Sequence, residues 1–98
     1  MRLYEIIWKD KFVEKLEVEH NVTTDEVEQV LFDKPHIRRA NKGKIKGKDV
    51  YAAYGQTQAG RYLIIFFINK RLTAALPISA RDMTSSERSY YERQKKTS

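Results

Sequence analysis

The longest uninterrupted apolar segment of the chain spans residues 62–68 and reads Tyr-Leu-Ile-Ile-Phe-Phe-Ile. β-Branched and aromatic side chains suit the pleated surface of a sheet. A short apolar run without alternation is typical of a strand that is buried on both faces and therefore central in its sheet. Short polar or glycine-containing connections flank it at 58–60 and 69–71. The pattern predicts three successive antiparallel strands at about 50–56, 61–68 and 72–80.

The N-terminal third changes from a strand pattern to a helical one. Residues 3–8 are rich in β-branched and aromatic types and predict an opening strand that pairs with the later sheet. Asp10 is placed to cap a helix over 10–19, and Asn21 tolerates the left-handed conformation that ends one. The apolar face of this helix, with a histidine at its last turn, consists of Phe12, Val13, Leu16 and His20.

A second helix is predicted over 24–32. Thr23 and Glu26 have the spacing of a capping box, and Pro35 prevents the helix from continuing. Both helices are short and have polar outer faces, so we expect them to lie together against one face of the sheet.

A third helix is predicted to follow the sheet. Thr84 and Glu87 form another capping box at its start, which gives Glu87 a structural role. Tyr90 and Tyr91 are adjacent, so they cannot both face the core, and the last residues, 94–98, are expected to fray. The predicted class is α+β, with an antiparallel sheet of about four strands, two N-terminal helices packed on it and a C-terminal helix.

Length and composition narrow the possible functions. The 98 residues are enough for one domain, 1–98, and the absence of cysteine excludes disulfides and thiolate metal sites. His20 and His36 lie far apart in sequence, so we expect no structural metal and no cofactor. The N-terminus lacks the pattern of a signal peptide, and the apolar runs are too short to span a membrane, so we expect a cytoplasmic protein.

Positive charge is concentrated in one segment. Lys plus Arg number 19 against 13 for Asp plus Glu, and the net charge of +6 favours an anionic partner such as RNA, DNA or an acidic protein. Residues 38–48 carry glycines and no acid, and are predicted to form a mobile loop. This loop either solubilises the protein or tracks phosphates. Its candidate nucleic-acid-binding residues are Arg38, Arg39, Lys42, Lys44, Lys46 and Lys48.

A series of short motifs follows one another along almost the whole chain. They are Trp8-Lys9-Asp10, His20-Asn21-Val22, Asp25-Glu26-Val27, Leu31-Phe32-Asp33-Lys34-Pro35, Gly55-Gln56-Thr57, Gly60-Arg61-Tyr62-Leu63, Ile78-Ser79-Ala80-Arg81, and Glu87-Arg88 before Tyr90 and Tyr91. The series resembles the BrnT family, whose members are toxins of type II toxin-antitoxin pairs with a RelE-like ribonuclease fold. The resemblance implies a metal-independent ribonuclease that inhibits translation, with RNA as substrate and a cognate antitoxin as partner.

Metal-independent cleavage of RNA requires cations that stabilise the phosphate and groups that move protons. Arg61 and Arg81 fall at strand ends toward the same edge of the predicted sheet, where two guanidiniums would form an anion site if they converged. We expect them to stabilise the phosphate, together with Arg88. The candidates for proton transfer are His20, Glu87 and Tyr91.

Two other functions remain compatible with the sequence. One is a binding module without chemistry, in which the basic segment and the sheet edge hold RNA or DNA through phosphate contacts. The other is a protein-interaction domain that docks an acidic partner and has lost an enzymatic role. All three functions need the same positive face, so the sequence does not separate them, and the RNA substrate can be free or ribosome-associated.

Overall fold

A computed structural model of the protein describes residues 1–45 and 48–97, and the side chains within that part except those of 41–45, 48 and 97. The elements in chain order are β1 (Glu5–Ile6), α1 (Asp10–His20), α2 (Thr24–Phe32), β2 (His36–Ile45), β3 (Lys48–Gln56), β4 (Tyr62–Lys70), β5 (Ala74–Asp82) and α3 (Ser85–Thr97).

The sheet has the strand order β1-β5-β4-β3-β2. β2 to β5 form successive antiparallel pairs, whereas the two-residue β1 lies parallel to β5. The predicted α+β class is confirmed. The strand count differs from the predicted four, because β2 adds a strand, and the parallel β1 makes the sheet mixed.

β4 occupies the central position that its apolar sequence predicts. Leu63, Ile65 and Phe67 are buried against the first two helices, while Ile64 is buried on the opposite face. Burial on both faces explains why this strand lacks the alternation of a half-exposed one.

The described part of the basic segment 38–48 forms a strand as far as Ile45, so the prediction of a loop is wrong there. Arg38 and Arg39 pair with Ala52 and Tyr51 of β3, and the register is irregular beyond Arg39. Backbone pairing with β3 does not depend on side-chain polarity, and charged side chains are common on edge strands. Residues 46 and 47 lie outside the described part of the chain.

α1 and α2 pack side by side on one face of the sheet, as predicted. Their buried side chains include Leu16, Val27 and Val30. Asp10 is the first helical residue, and the cap position belongs to Lys9, whose side chain forms no capping hydrogen bond. The Asp10 cap was therefore wrong, whereas Asn21 ends α1 in the left-handed region with φ 53°.

The capping boxes at the starts of α2 and α3 both form. The Thr23 side chain accepts from the Glu26 amide while Glu26 accepts from the Thr23 amide. Thr84 and Glu87 exchange the same pair of hydrogen bonds. Side-chain partners at these positions satisfy amides that have no partner within the helix, which explains why the sequence located both helix starts.

α3 lies on the opposite face of the sheet, where it buries Tyr54, Ile64, Met83 and Tyr91. It runs to Thr97, and so it includes most of the residues, 94–98, that the sequence predicts to fray. Basic side chains in its last turn favour the negative end of the helix dipole. No helix in the described ranges is long and apolar enough to cross a membrane.

Candidate functional site

A row of side chains crosses the sheet on the face that carries α3. Strand pairing sets His36 opposite Tyr54, Tyr54 opposite Ile64, and Ile64 opposite Arg81. Residues directly opposite each other in antiparallel strands point to the same face. The middle of the row is buried under α3, while His36 and Arg81 at its two ends are only partly buried. The row therefore leaves polar groups accessible on both sides of an apolar centre.

His36, Arg38, Tyr54 and Tyr90 form one contact group at the β2 end of this row, here called the His36 cluster. A hydrogen bond of 2.7 Å joins His36 Nε2 to the Tyr90 hydroxyl. The Tyr90 ring lies 5.4 Å from both the His36 and Tyr54 rings. The Arg38 guanidinium lies 5.2 Å from the centre of the Tyr90 ring. α3 thereby brings a hydroxyl to an imidazole that lies far from it in sequence.

The surroundings of His36 lower its pKa from the ordinary value of 6.5. Partial burial is the main cause, because it removes the charged imidazole from water, and repulsion by Arg38 adds to it. The imidazole is therefore neutral at pH 7. In that state one ring nitrogen donates a hydrogen bond and the other accepts a proton.

Arg81 lies at the opposite end of the row and is held by Glu87. Two hydrogen bonds of 2.7 and 2.8 Å join the guanidinium to the carboxylate. These bonds raise the pKa of Arg81 and lower the pKa of Glu87 to about 2. Glu87 is thus ionised near pH 7 and also caps α3, so it orients Arg81 and is a poor proton donor. The Arg81 side chain remains 41% exposed.

Arg61 lies on the other face of the sheet. Its guanidinium donates to Asp82 at 2.8 and 3.1 Å, to Glu26 at 3.1 Å and to the Asn21 carbonyl at 2.8 Å. The hydrogen bonds to Asp82 are the main cause of its raised pKa. The predicted convergence of Arg61 with Arg81 is wrong, because alternation along the strands directs them to opposite faces. Arg61 instead ties β5 to α2 and to the end of α1.

The remaining catalytic candidates lie outside the His36 cluster. His20 is the half-buried last residue of α1, and α1 packs on the face of the sheet opposite to α3. Tyr91 is buried, and burial raises its pKa. Arg88 is exposed and stacks 4.2 Å from the centre of the Tyr62 ring. These three positions favour capping, packing and surface roles.

The basic candidates of β2 are divided between the two faces. Arg38 belongs to the His36 cluster, whereas Arg39 points the other way and pairs with Asp49 at 3.1 Å. Arg39 also lies 5.9 Å from the centre of the Tyr51 ring, which packs against the core under α1 and α2. The side chains of the other basic candidates, Lys42, Lys44, Lys46 and Lys48, lie outside the described part of the structure.

Sequence reasoning did not bring His36, Tyr54 and Tyr90 together as a candidate site. A usable signal was present, because His36 and Arg38 are two residues apart and share a face of any strand that contains both. Assigning 38–48 to a loop removed that periodicity. The contact with Tyr90 depends on the docking of α3, which no local pattern specifies.

Comparisons with known proteins agree with this architecture. A family model described as the ribonuclease toxin BrnT of type II toxin-antitoxin systems matches residues 8–87. The crystal structure of the ribonuclease toxin BrnT from Brucella abortus is similar, with a TM-score of 0.59 and 17% sequence identity over 83% of this chain and 97% of that one. That likeness shows a shared fold. No curated protein sequence matches the chain.

Proposed function

This chain belongs to the BrnT family of ribonuclease toxins of type II toxin-antitoxin systems, and from that membership we propose that it cleaves RNA at the His36 cluster and so inhibits translation. The observation that carries the proposal is the hydrogen bond between His36 and Tyr90 in a row that ends at Arg81. A neutral imidazole, a hydroxyl and accessible guanidiniums are the groups that such cleavage needs.

In the proposed reaction the 2′-hydroxyl of RNA attacks the adjacent phosphorus. His36 carries its proton on Nε2, which donates to Tyr90, and its Nδ1 accepts the 2′-hydroxyl proton. The bond to the 5′-oxygen breaks as Tyr90 gives its proton to that oxygen and receives the Nε2 proton of His36. The products are a 2′,3′-cyclic phosphate and a 5′-hydroxyl, and the imidazole ends as its other neutral tautomer.

Arg38 and Arg81 provide the positive charge for this reaction. Arg38 lies beside the imidazole and Tyr90, where a phosphate that presents its 2′-hydroxyl to His36 would meet it. Arg81 is preoriented by the two hydrogen bonds that it donates to Glu87, and it meets the RNA strand at the other end of the row. A guanidinium beside the reacting phosphate, where Arg38 lies, stabilises the charge of the pentavalent phosphate, whereas Arg81 strengthens RNA binding at a distance from it.

The cognate antitoxin is the second proposed partner. The charge of +6 and the exposed Arg38 favour an acidic segment that covers the His36 cluster. Such a segment blocks RNA by occupying the same cations, so a bound antitoxin and RNA exclude each other.

The main test is RNA cleavage in the presence of a chelator, with and without ribosomes. His36→Gln and Tyr90→Phe should each slow cleavage about 10²- to 10⁴-fold, the usual contribution of a proton-transfer group. His20→Gln removes the other histidine and should leave the rate unchanged. If the parent binds RNA but cleaves nothing under either condition, the chain is a binding module and the proposal is wrong.

The neighbouring arginines of β2 provide a matched pair of variants. Arg38→Ala should weaken RNA binding and make the slope of log affinity against log salt shallower by about 0.7, the value for one contact to a single strand. Arg39→Ala removes the same charge from the opposite face and should leave the slope unchanged. If the two substitutions had equal effects, RNA would not prefer the face of the sheet that carries Arg38, and the proposed site would be contradicted.

A further inference from the structure

A groove of about 440 Å³ opens beside Arg81 at the edge of β5. It combines aromatic rings with cations and a hydroxyl, contributed by Phe12, Lys15, Phe66, Ser79 and Arg81. β1 pairs only with Ala74 and Ala75 of β5, so within the described residues the outer edge of β5 beside the groove has no strand partner, and the pairing of β5 with β4 has a register shift next to Phe66. Its volume lies within the range of small-molecule sites.

Phe12 is placed in this groove and not in the core. Within the described residues it belongs to neither buried cluster, and Leu16 is the fully buried side chain of α1. Lys15 lies three residues further along the same helix flank and lines the same groove. Phe12 is half exposed, and the Lys11 ammonium lies 4.9 Å from the centre of its ring. Aromatic rings together with cations are the combination with which proteins hold single-stranded nucleic acid.

The groove lies at the Arg81 end of the row, roughly 14 Å from His36, because three steps between neighbouring strands separate the two ends. Arg81 belongs both to the groove and to the row that ends at the His36 cluster. Phe66 is two residues from Ile64 of that row and faces the same way, a separation of roughly 7 Å along the strand. The Arg81 guanidinium lies 5.6 Å from the centre of the Phe66 ring. α3 covers the middle of the row, so a strand of RNA bound at the His36 cluster reaches Arg81 and the groove by passing around α3, within a few nucleotides.

We infer that this groove is a nucleobase-binding subsite for single-stranded RNA. The base contacts the ring of Phe12 and the stack of Arg81 on Phe66, and Lys15 meets the phosphate beside it. Every base has a face that can stack, so the subsite adds affinity for bases without selecting one by hydrogen bonds. The choice of RNA as ligand rests on the proposed function.

The test compares two 2′-O-methyl oligomers of equal length, one of uridine and one of abasic riboses, by fluorescence anisotropy. Neither can be cleaved, because the attacking hydroxyl is blocked. Phe12→Ala should weaken binding of the uridine oligomer roughly five- to a hundredfold, the range for loss of one base-stacking ring, and leave the abasic oligomer unchanged. Lys15→Ala should weaken both oligomers equally.

Phe32→Ala is the matched control, since Phe32 is an exposed phenylalanine of α2 on the other face of the sheet, and it should change neither affinity. Phe12→Leu removes the ring but keeps apolar volume. It takes the place of Phe12→Ala if that variant folds poorly, and the same loss of affinity for the uridine oligomer is expected. The subsite would be overturned if Phe12→Ala weakened both oligomers equally or weakened neither. It would also be overturned if the parent bound the uridine oligomer no more tightly than the abasic one.

The outcome is separable from that of the proposed function. Cleavage of unmodified RNA by the parent is measured independently of this binding experiment. A parent that prefers bases through Phe12 but never cleaves retains the subsite and loses the ribonuclease proposal. A parent that cleaves RNA but shows no contribution of Phe12 to base binding retains the ribonuclease proposal and loses the subsite.

Discussion

At the scale of single residues, the partners of each arginine decide what it can do. The Arg61 side chain is 25% exposed and bonds groups from α1, α2 and β5, so its charge is used within the fold. Arg81 is 41% exposed, and among the described residues it donates hydrogen bonds only to Asp82 and Glu87, which lie near it in the chain. Hydrogen bonds with charged partners are among the stronger ones in proteins, which favours a stabilising role for Arg61.

Substitution of the two arginines should separate stability from activity. Arg61→Ala should lower the free energy of unfolding by about 1–3 kcal/mol, because it leaves Glu26 and the Asn21 carbonyl without their partner. Arg81→Ala should lower it by about 1 kcal/mol, since its pair with Glu87 is partly solvated. Urea unfolding measures both. Cleavage per folded molecule should fall only for Arg81→Ala, and a loss for Arg61→Ala at full stability would reverse the two roles.

His36 should titrate below 6.5, and Arg38 should be part of the reason. In a His20→Gln background the remaining histidine gives one imidazole signal in proton NMR. Arg38→Gln should raise its pKa, but the value should stay below 6.5 because burial is the larger cause. The lowered pKa means that stability from this group is complete above pH 6.5 and is lost as the pH falls through the folded value. An unchanged pKa in Arg38→Gln would exclude the repulsion.

At the scale of elements, α2 was predicted most accurately, and β2 was missed. Both bounds of α2 agree with the sequence prediction, because its capping box is local. β2 carries polar and basic residues that do not predict a strand. It forms because it pairs with β3, and a local sequence pattern does not contain that pairing. The close approach of α2 to β3 is a second feature that no local pattern contains. A Cβ added to Gly55 would lie 2.7 Å from Val30 Cγ1.

Gly55→Ala should therefore lower the free energy of unfolding by about 1–3 kcal/mol through overpacking between β3 and α2. Val30→Ala removes the atom that a new methyl group would strike. In that background the added cost of Gly55→Ala should largely disappear, as a double-mutant cycle in urea unfolding would show. Equal costs in both backgrounds would locate the penalty in the strand itself and contradict the steric explanation.

At the scale of the whole molecule, the sheet has one face that carries α1 and α2 and an opposite face that carries α3 and the proposed cleavage site. α1 and α2 cover the first and bury most of the core, whereas α3 covers only part of the second. The His36 cluster and the groove beside Phe12 and Arg81 both border that partly covered surface. Glu87 takes part both in the stability of the fold and in the proposed site, because it caps α3 and orients Arg81.

This link predicts a characteristic acid sensitivity. Glu87 has its pKa lowered to about 2, so its contribution to stability is complete above its ordinary value of 4.5 and is lost as the pH falls from 4.5 through 2. Glu87→Gln should be less stable by about 1 kcal/mol at pH 7 and should lose less stability over that acid range. Glu14→Gln, which changes an exposed glutamate of α1, should follow the parent curve. Parallel curves for all three proteins would refute the role of the Arg81 pair.

The sequence by itself determined the class of the fold, the central strand, the placement of the first two helices on one face of the sheet and two helix starts, whereas of the predicted apolar face of α1 only Leu16 is buried. Hydrophobic periodicity and capping act between residues that are close in the chain, so a linear pattern contains them. Tertiary structure alone decided that Arg61 and Arg81 lie on opposite faces, that basic residues extend the sheet as β2, and that Tyr90 reaches His36. The first two features follow from strand register. The third follows from the docking of α3, which joins residues 54 positions apart, and such contacts form only when the whole chain folds.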